Sequence, residues 1–296
     1  MAEAIVNNPV AIGAFRVGKG QPLAFIAGPC VLEDDRTMLE TAEQLAALAQ
    51  RFRIPLVFKA SYEKDNRSEV TGYRGPGLEE GLELLAHVRE VSGLPVTSDV
   101  HRESDVAAAA EVLDLVQIPA FLCQQTSLLV AAGRACRAVN VKKGQFMAPE
   151  NMRGAVGKIH QGGCDQILLT ERGSCFGYNR LVADVTSVPI MQGIGCPVVF
   201  DVTHIGRRYG IPSSDRAGGL PEHNELLARC GAAAGADALF IETHPCPAKA
   251  RCDAASMLPL SDFASLLQRV LPIAESIRTS VPEPGASEVS PGEESR

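Results

Sequence analysis

Short apolar runs, each followed by polar residues, recur along the 296-residue chain. They are too continuous for strands with one face in water, which indicates the buried strands of a covered parallel sheet. In chain order the eight runs are 23–30, 55–61, 95–100, 115–121, 138–144, 166–173, 197–204 and 238–245. Helical periodicity marks segments between and after them, among which are 36–52, 78–91, 104–113, 127–136, 224–235 and 260–277.

A strand followed by a helix, repeated eight times, predicts an α/β fold, specifically a closed (β/α)₈ TIM barrel. A doubly wound sheet is the alternative for the same elements, but eight near-evenly spaced units favour closure. The weakest helical pattern is at 181–195, between the sixth and seventh strands.

The two ends of the chain differ from this repeat. Residues 1–22 predict a short N-terminal β extension, with 4–8 and 11–15 as the arms of a hairpin across the barrel bottom. Residues 23–278 form the predicted catalytic domain. The last segment, 279–296, is rich in Pro, Ser, Gly and Glu, and it predicts a disordered tail because it has little apolar surface to bury.

Composition narrows the function. The net charge of -7, without a Lys/Arg cluster, argues against a nucleic-acid partner. No apolar window is long enough for a membrane span and the first residues lack a secretory signal, so we expect a cytoplasmic protein. Nine scattered cysteines show neither a disulfide framework nor a zinc knuckle, and most are expected to be reduced and buried.

Polar residues follow every predicted strand. They are Cys30, Lys59, Ser61, Asp99, His101, Gln117, Lys142, Lys143, Glu171, Arg172, Asp201, His204, Glu242 and His244. In a TIM barrel these strand ends meet at one mouth, the face that carries the active site in characterised enzymes. Because all eight predicted strands end in polar residues, the sequence predicts an enzyme.

Cations at these ends suit a small polyanion, a phosphate or a carboxylate. They are Lys59, Lys64, Lys142 and Arg172. The alternative is that they only form ion pairs with nearby carboxylates such as Glu63, Asp99 and Glu171. The loop 64–77, "KDNRSEVTGYRGPG", offers a second phosphate site at Asn66, Arg67 and Ser68, or else a mobile lid whose polar groups face water.

A further set of side chains combines a thiol, an imidazole and carboxylates. Its members are Cys30, His204, Glu242 and Asp253. Such mixed donors suit a divalent ion, Zn²⁺, Fe²⁺ or Mn²⁺, without deciding which. Taken alone, Cys30 also fits an inert buried thiol. Other imidazoles remain open as ligands, namely His101, His160, His223 and His244.

These motifs resemble one family in order and in density, over roughly residues 20 to 275. The matching segments are "FIAGPC", "VFKAS" with "KDNRS", "YRGPGLEEGL", "SDVH", "QIPAFLC", "NVKKGQF", "LTERG", "FDVTH", "IETHP" and "CDAAS". The sequence resembles 3-deoxy-D-manno-octulosonate 8-phosphate synthase. That family condenses phosphoenolpyruvate with arabinose 5-phosphate and releases inorganic phosphate, on the route to the inner sugar of lipopolysaccharide.

The resemblance implies roles for particular residues. Cys30 indicates the metal-dependent type, since the other type carries Asn there, and the implied ligands are Cys30, His204, Glu242 and Asp253. The residues implied to bind phosphoenolpyruvate are Lys59, Lys64, Gln117, Lys142 and Arg172. Asn66, Arg67 and Ser68 are implied to bind the phosphate of the aldose, in a loop that reaches a neighbouring subunit of a homotetramer. As catalytic residues we expect Lys59, Asp99, Lys142 and His204.

Some positions depart from the family pattern. Gln124 stands where the family usually has Arg, and "AGGLPEHNEL" replaces a glycine pair followed closely by Arg. Three other functions are considered. A heptulosonate 7-phosphate synthase would use erythrose 4-phosphate, a sialic-acid-type synthase would use an unphosphorylated sugar, and a non-catalytic barrel would only bind a phosphorylated metabolite.

Overall fold

The computed structural model describes residues 6–66, 72–208, 210–212 and 215–280. An antiparallel hairpin comes first, with strands β1 (Val10–Ile12) and β2 (Phe15–Val17). The hairpin is predicted correctly, but its arms lie later in the chain than expected. Gly13, at φ +55°, reverses the chain, because this left-handed conformation is easily adopted by glycine.

The eight apolar runs form parallel strands in which every residue is buried. These strands are β3 (Ala24–Gly28), β4 (Leu56–Lys59), β5 (Val96–Asp99), β6 (Leu115–Ile118), β7 (Val139–Lys142), β8 (Ile167–Glu171), β9 (Val198–Asp201) and β10 (Ala238–His244). Each pairs with the next, and β10 also pairs with β3, so the sheet closes. A two-residue strand, β11 (Leu258–Pro259), extends β10 on the outside. The predicted (β/α)₈ barrel with an N-terminal β extension is confirmed.

Helices cover the barrel. They are α1 (Asp35–Phe52), α2 (Leu78–Ser92), α3 (Val106–Val112), α4 (Thr126–Ala135), α5 (Arg153–Gly162), α6 (Ser187–Gln192), α7 (Val202–Ile205), α8 (Asn224–Ala233) and α9 (Phe263–Ser280). The weak pattern at 181–195 gives the six-residue α6. Asp184 precedes it and accepts hydrogen bonds from Thr186 N (3.0 Å) and Ser187 Oγ (3.2 Å), which support the turn into the helix.

Two apolar cores position the mouth. The outer core lies between the strands and the helices, as expected for a sheet covered by helices. The inner core fills the lower part of the barrel and includes Ala24, Ile26, Val57, Leu115, Leu168, Val199 and Phe240. Val10, Ile12 and Val17 of the hairpin join this inner core. The interior is therefore apolar below, and the buried polar residues gather at the carboxyl ends of the strands.

Helices α4 and α5 are in close backbone contact. A Cβ atom at Gly133 would overlap the carbonyl oxygen of Ile159, and one at Gly162 would crowd the backbone of Gly133. By contrast, a Cβ atom at Gly157 meets nothing within 4 Å. Only some of the glycines in this pair of helices are therefore required by packing.

Candidate active site

A cavity of about 530 Å³ opens at the carboxyl ends of the strands. Its wall includes apolar residues and a larger number of polar ones, namely Lys64, Asn66, Asp99, Lys142, Gln145, Arg172, His204, Arg207, Cys252 and Asp253. Most residues predicted for the site line this cavity or contact a residue that does. Arg67 and Ser68 lie outside the described residues.

A buried ion pair joins Lys59 of β4 to Glu242 of β10. Lys59 Nζ lies 2.7 Å from Glu242 Oε1 and donates to the carbonyl oxygen of Cys30 at 2.8 Å. Burial opposes ionisation of Glu242, but Lys59 and His204 outweigh it and lower the pKa of the carboxyl group. Glu242 Oε2 is buried and has no hydrogen-bond partner among the described residues. This oxygen remains available to a bound group.

Asp99, at the end of β5, centres a second network. It accepts hydrogen bonds from Lys64 Nζ (2.8 Å), Ser61 Oγ (2.8 Å) and Gln117 Nε2 (2.5 Å). Burial would raise its pKa, yet Lys64 and other lysines hold the pKa well below the usual value. Gln117 also accepts from Asn140 Nδ2 at 3.1 Å. Gln117 thus lies beneath the cavity and fixes the orientation of Asp99.

Lys142, His204 and Asp201 form the third network. Asp201 ends β9, accepts from Lys142 Nζ at 2.7 Å and is 2.8 Å from His204 Nδ1. Burial opposes its ionisation, but His204 and Lys142 lower the pKa of Asp201 far below its usual value. An ionised Asp201 accepts from Nδ1, so Nε2 is the His204 nitrogen that faces Glu242 and Asp253. Burial lowers the pKa of Lys142, with its ammonium 3.5 Å from the centroid of the Phe240 ring.

The four predicted metal ligands lie together at the mouth. His204 Nε2 is 3.6 Å from Glu242 Oε1 and 3.7 Å from Asp253 Oδ2, and that same Asp253 oxygen is 3.3 Å from Cys30 Sγ. They belong to two overlapping groups of candidate metal-binding residues that share Asp253. The donor chemistry and the unpartnered Glu242 oxygen fit a divalent ion. Within the described part of the chain, neither group includes His101, His160, His223 or His244.

The loop after β4 is held at both sides of its undescribed part. Arg102 Nη1 lies 2.9 Å from Glu63 Oε2, and Arg102 Nη2 lies 2.9 Å from Asp65 Oδ2. Arg74 forms ion pairs with the same two carboxylates. Asn66, the next residue, reaches the cavity wall. The exposed guanidinium groups therefore fix the direction in which this loop leaves the barrel.

A family model described as the DAHP synthetase I family matches residues 4–277. The chain belongs to this family.

Several curated relatives of this chain share one name, 2-dehydro-3-deoxyphosphooctonate aldolase. The protein of Geobacter metallireducens is 51% identical over 90% of this chain and 97% of its own length. That of Trichlorobacter lovleyi is 46% identical over 92% of this chain and 100% of its own length. That of Synechococcus sp. is 48% identical over 89% of this chain and 92% of its own length. These relatives confirm the resemblance inferred from the motifs.

Asp201, Arg207 and Cys252 contact proposed metal ligands, yet they are absent from the binding, metal and catalytic sets expected from the sequence. Asp201 orients His204, Arg207 Nε lies 3.6 Å from Asp253 Oδ1, and Cys252 Sγ lies 2.9 Å from Cys30 Sγ. The signal for Asp201 was its place at a strand end, three residues before His204. Arg207 and Cys252 are loop residues, and the only sequence signal for Cys252 is that it precedes Asp253.

In the described residues, no helix combines the length and apolar character needed to cross a bilayer.

Proposed function

We propose that this protein condenses phosphoenolpyruvate with D-arabinose 5-phosphate and water, giving 3-deoxy-D-manno-octulosonate 8-phosphate and inorganic phosphate. The observation that carries the proposal is a single mouth cavity with cations for anionic substrates beside a thiol–imidazole–carboxylate cluster. The name that the relatives share, 2-dehydro-3-deoxyphosphooctonate aldolase, supports the same reaction for this chain.

The reaction needs its two substrates held at attacking distance. Carbon 3 of phosphoenolpyruvate attacks the aldehyde carbon of the sugar, and the new carbon–carbon bond leaves positive character at carbon 2. Water adds at carbon 2, and the carbon–oxygen bond to phosphate then breaks. Lys142 and Arg172 hold the phosphate and carboxylate of phosphoenolpyruvate, a positioning effect worth several kcal/mol in well-oriented systems. Lys59, Lys64 and Gln117 complete this half of the site.

The aldose lies on the other side of the cavity in this proposal. Asn66 lines the cavity there, and Arg67 and Ser68 complete the set proposed to receive the sugar phosphate. Lys64, from the same loop, belongs to the cations proposed for phosphoenolpyruvate. Asp99 holds the Lys64 ammonium at 2.8 Å, so this cation has a fixed position before substrate arrives. Fixed donors lose less conformational freedom on binding, which favours affinity.

Cys30, His204, Glu242 and Asp253 are the proposed ligands of a divalent metal. When bound, such an ion polarises an oxygen atom of the aldose or of water as a Lewis acid. Asp201 orients the imidazole of His204, and Lys59 holds one oxygen of Glu242 at 2.7 Å. These contacts fix the ligands in the way that supporting carboxylates fix metal-binding histidines.

Phosphate release tests the reaction. The protein should release inorganic phosphate when phosphoenolpyruvate is mixed with arabinose 5-phosphate, and much less with erythrose 4-phosphate or without an aldose. Lys142→Met should greatly reduce release, whereas Lys249→Met, at an exposed loop position, should not. Faster release with erythrose 4-phosphate would favour the heptulosonate synthase, and no release with either aldose would favour a binding protein.

The oligomer is also part of the proposal. Four aromatic side chains on the loops after β6, β7 and β8 are at least half exposed, namely Phe121, Phe146, Phe176 and Tyr178. Large apolar side chains exposed on neighbouring loops are a feature of interaction sites. We infer that these loops contact other copies of the chain in a homotetramer.

A further inference from the structure

A second thiol lies in the proposed metal cluster. Cys252 Sγ is 2.9 Å from Cys30 Sγ, and Cys252 is only 5% exposed while it lines the mouth cavity. The sulfur atoms of Cys30 and Cys252 and an oxygen of Asp253 all lie within 4.8 Å of one another. The shared Asp253 links this group to the one formed with His204 and Glu242.

The backbone at this point brings two neighbouring side chains to one place. Successive side chains in an extended chain point in opposite directions. Asp253 instead has φ +47°, a left-handed conformation that is uncommon for a residue other than glycine. Both Cys252 Sγ and Asp253 Oδ2 lie close to Cys30 Sγ as a result. Strained backbone of this kind concentrates at functional sites.

We propose that Cys252 supplies a second sulfur donor to the metal, so that the site selects thiophilic ions such as Zn²⁺, Co²⁺ or Cd²⁺ over Mn²⁺ and Mg²⁺. This inference rests on the proposed metal site. It follows from ligand chemistry, because thiolates favour soft and borderline ions whereas carboxylates alone suit Mg²⁺ and Mn²⁺. The alternative is that Cys252 packs as a small apolar group beside Val31 and Met257.

Cobalt absorption counts the sulfur ligands directly. The near-ultraviolet charge-transfer band of a Co²⁺ site grows with each coordinated thiolate. At saturating Co²⁺ we expect Cys252→Ser and Cys30→Ser each to retain about half of the wild-type band. The double variant should lose the band. Cys246→Ser, at an exposed position in the same loop, is the control and should keep it all.

Two outcomes overturn the inference. The first is that Cys252→Ser keeps the full wild-type band. The second is that Cys30→Ser has no band, since Cys252 as a ligand would preserve about half of the band in that variant. The second result is decisive even if Cys252→Ser does not fold. Should Cys252→Ser keep the full band while Cys30→Ser loses it, the metal site stands with a single thiolate. If both single variants and the double variant keep the full band, the proposed metal site itself fails.

Competition with a chelator gives an independent readout. Cys252→Ser should lose about tenfold or more in Zn²⁺ affinity, because removal even of groups that only support a ligand costs that much. Its Mn²⁺ affinity should change much less, since Mn²⁺ is held mainly by oxygen and nitrogen donors. Equal losses for the two ions would mean that the substitution only disturbs the loop, and would overturn the proposed selectivity.

Discussion

At the scale of single residues, the site consists of buried charges that are almost all paired. Lys59, Lys64 and Lys142 each lie within 2.8 Å of a carboxylate oxygen. The same lysines can therefore form ion pairs with carboxylates and also bind an anionic substrate. Removing the partner of a buried charge destabilises the folded protein by several kcal/mol. The ion pairs therefore hold the cations in place before substrate binds.

Replacing Cys30 removes one proposed metal ligand, its sulfur atom, and so tests the metal proposal. Cys30→Ala, as purified, should lose bound metal, and its activity should fall about a hundredfold or more, since Lewis-acid polarisation is worth several kcal/mol. Elemental analysis and the phosphate assay measure the two losses. Cys30→Asn should recover part of the activity without metal. Full activity of the alanine variant in the presence of chelator would remove the metal from the reaction.

Asp99 makes the stability sensitive to acid. Its folded pKa lies below the unfolded value, so its stabilising contribution is complete at neutral pH and is lost as pH falls below about 3.9. At pH 3 this loss amounts to about 1 kcal/mol. Asp99→Asn has no such titration, so its drop in unfolding free energy between pH 7 and pH 3 should be smaller by about that amount. Urea unfolding at both pH values measures the difference, and equal drops would contradict it.

At the scale of elements, the contact between α4 and α5 separates two kinds of glycine. Gly133→Ala should destabilise the protein by about 1–3 kcal/mol, because the added methyl overlaps the backbone of α5 at Ile159. Gly157→Ala, a matched change on α5 facing open space, should stabilise it by about 0.5–1 kcal/mol, since alanine loses less backbone entropy in a helix. Opposite shifts in the urea midpoint are expected, and a stabilising Gly133→Ala would contradict the packing.

Elements differ in how well the sequence predicts them. The eight barrel strands are predictable because each is buried on both faces and therefore continuous in apolar residues. The hairpin arms were placed too early, because the decisive feature was the backbone conformation of Gly13 and not an apolar pattern. Helix α5 is not among the helices named from the sequence, because Gly154, Gly157 and Gly162 lower the helix propensity of this segment. Local composition thus predicts elements well and turns less well.

The site is harder to predict than the elements, because its contacts join distant parts of the chain. The motifs indicated Cys30 and Asp253, and the fold brings them within 3.3 Å although 223 positions separate them. Cys252 gave no comparable signal, since a lone thiol in a loop is most simply explained as packing. Asp201 acts through His204, and such a supporting role depends on distances that a one-dimensional pattern does not contain.

At the scale of the whole molecule, the aromatic side chains around the mouth predict assembly. Sedimentation velocity at micromolar concentration should give a particle of four times the 31.4 kDa of one chain. Phe176→Ser changes a side chain that is 82% exposed, so it should shift the particle towards smaller species without unfolding the barrel. A particle of 31.4 kDa for the unmodified chain would exclude the tetramer.

The hairpin at the foot of the barrel affects how substrates and products reach and leave the site. Val10, Ile12 and Val17 are buried at the foot of the barrel and belong to the same apolar cluster as the inner core above them. In the described part of the chain the foot of the barrel is therefore covered, and we expect substrates and products to pass through the mouth. In the proposed reaction, inorganic phosphate then leaves by the same mouth through which the substrates enter, a mouth whose wall includes Lys64 and Asn66.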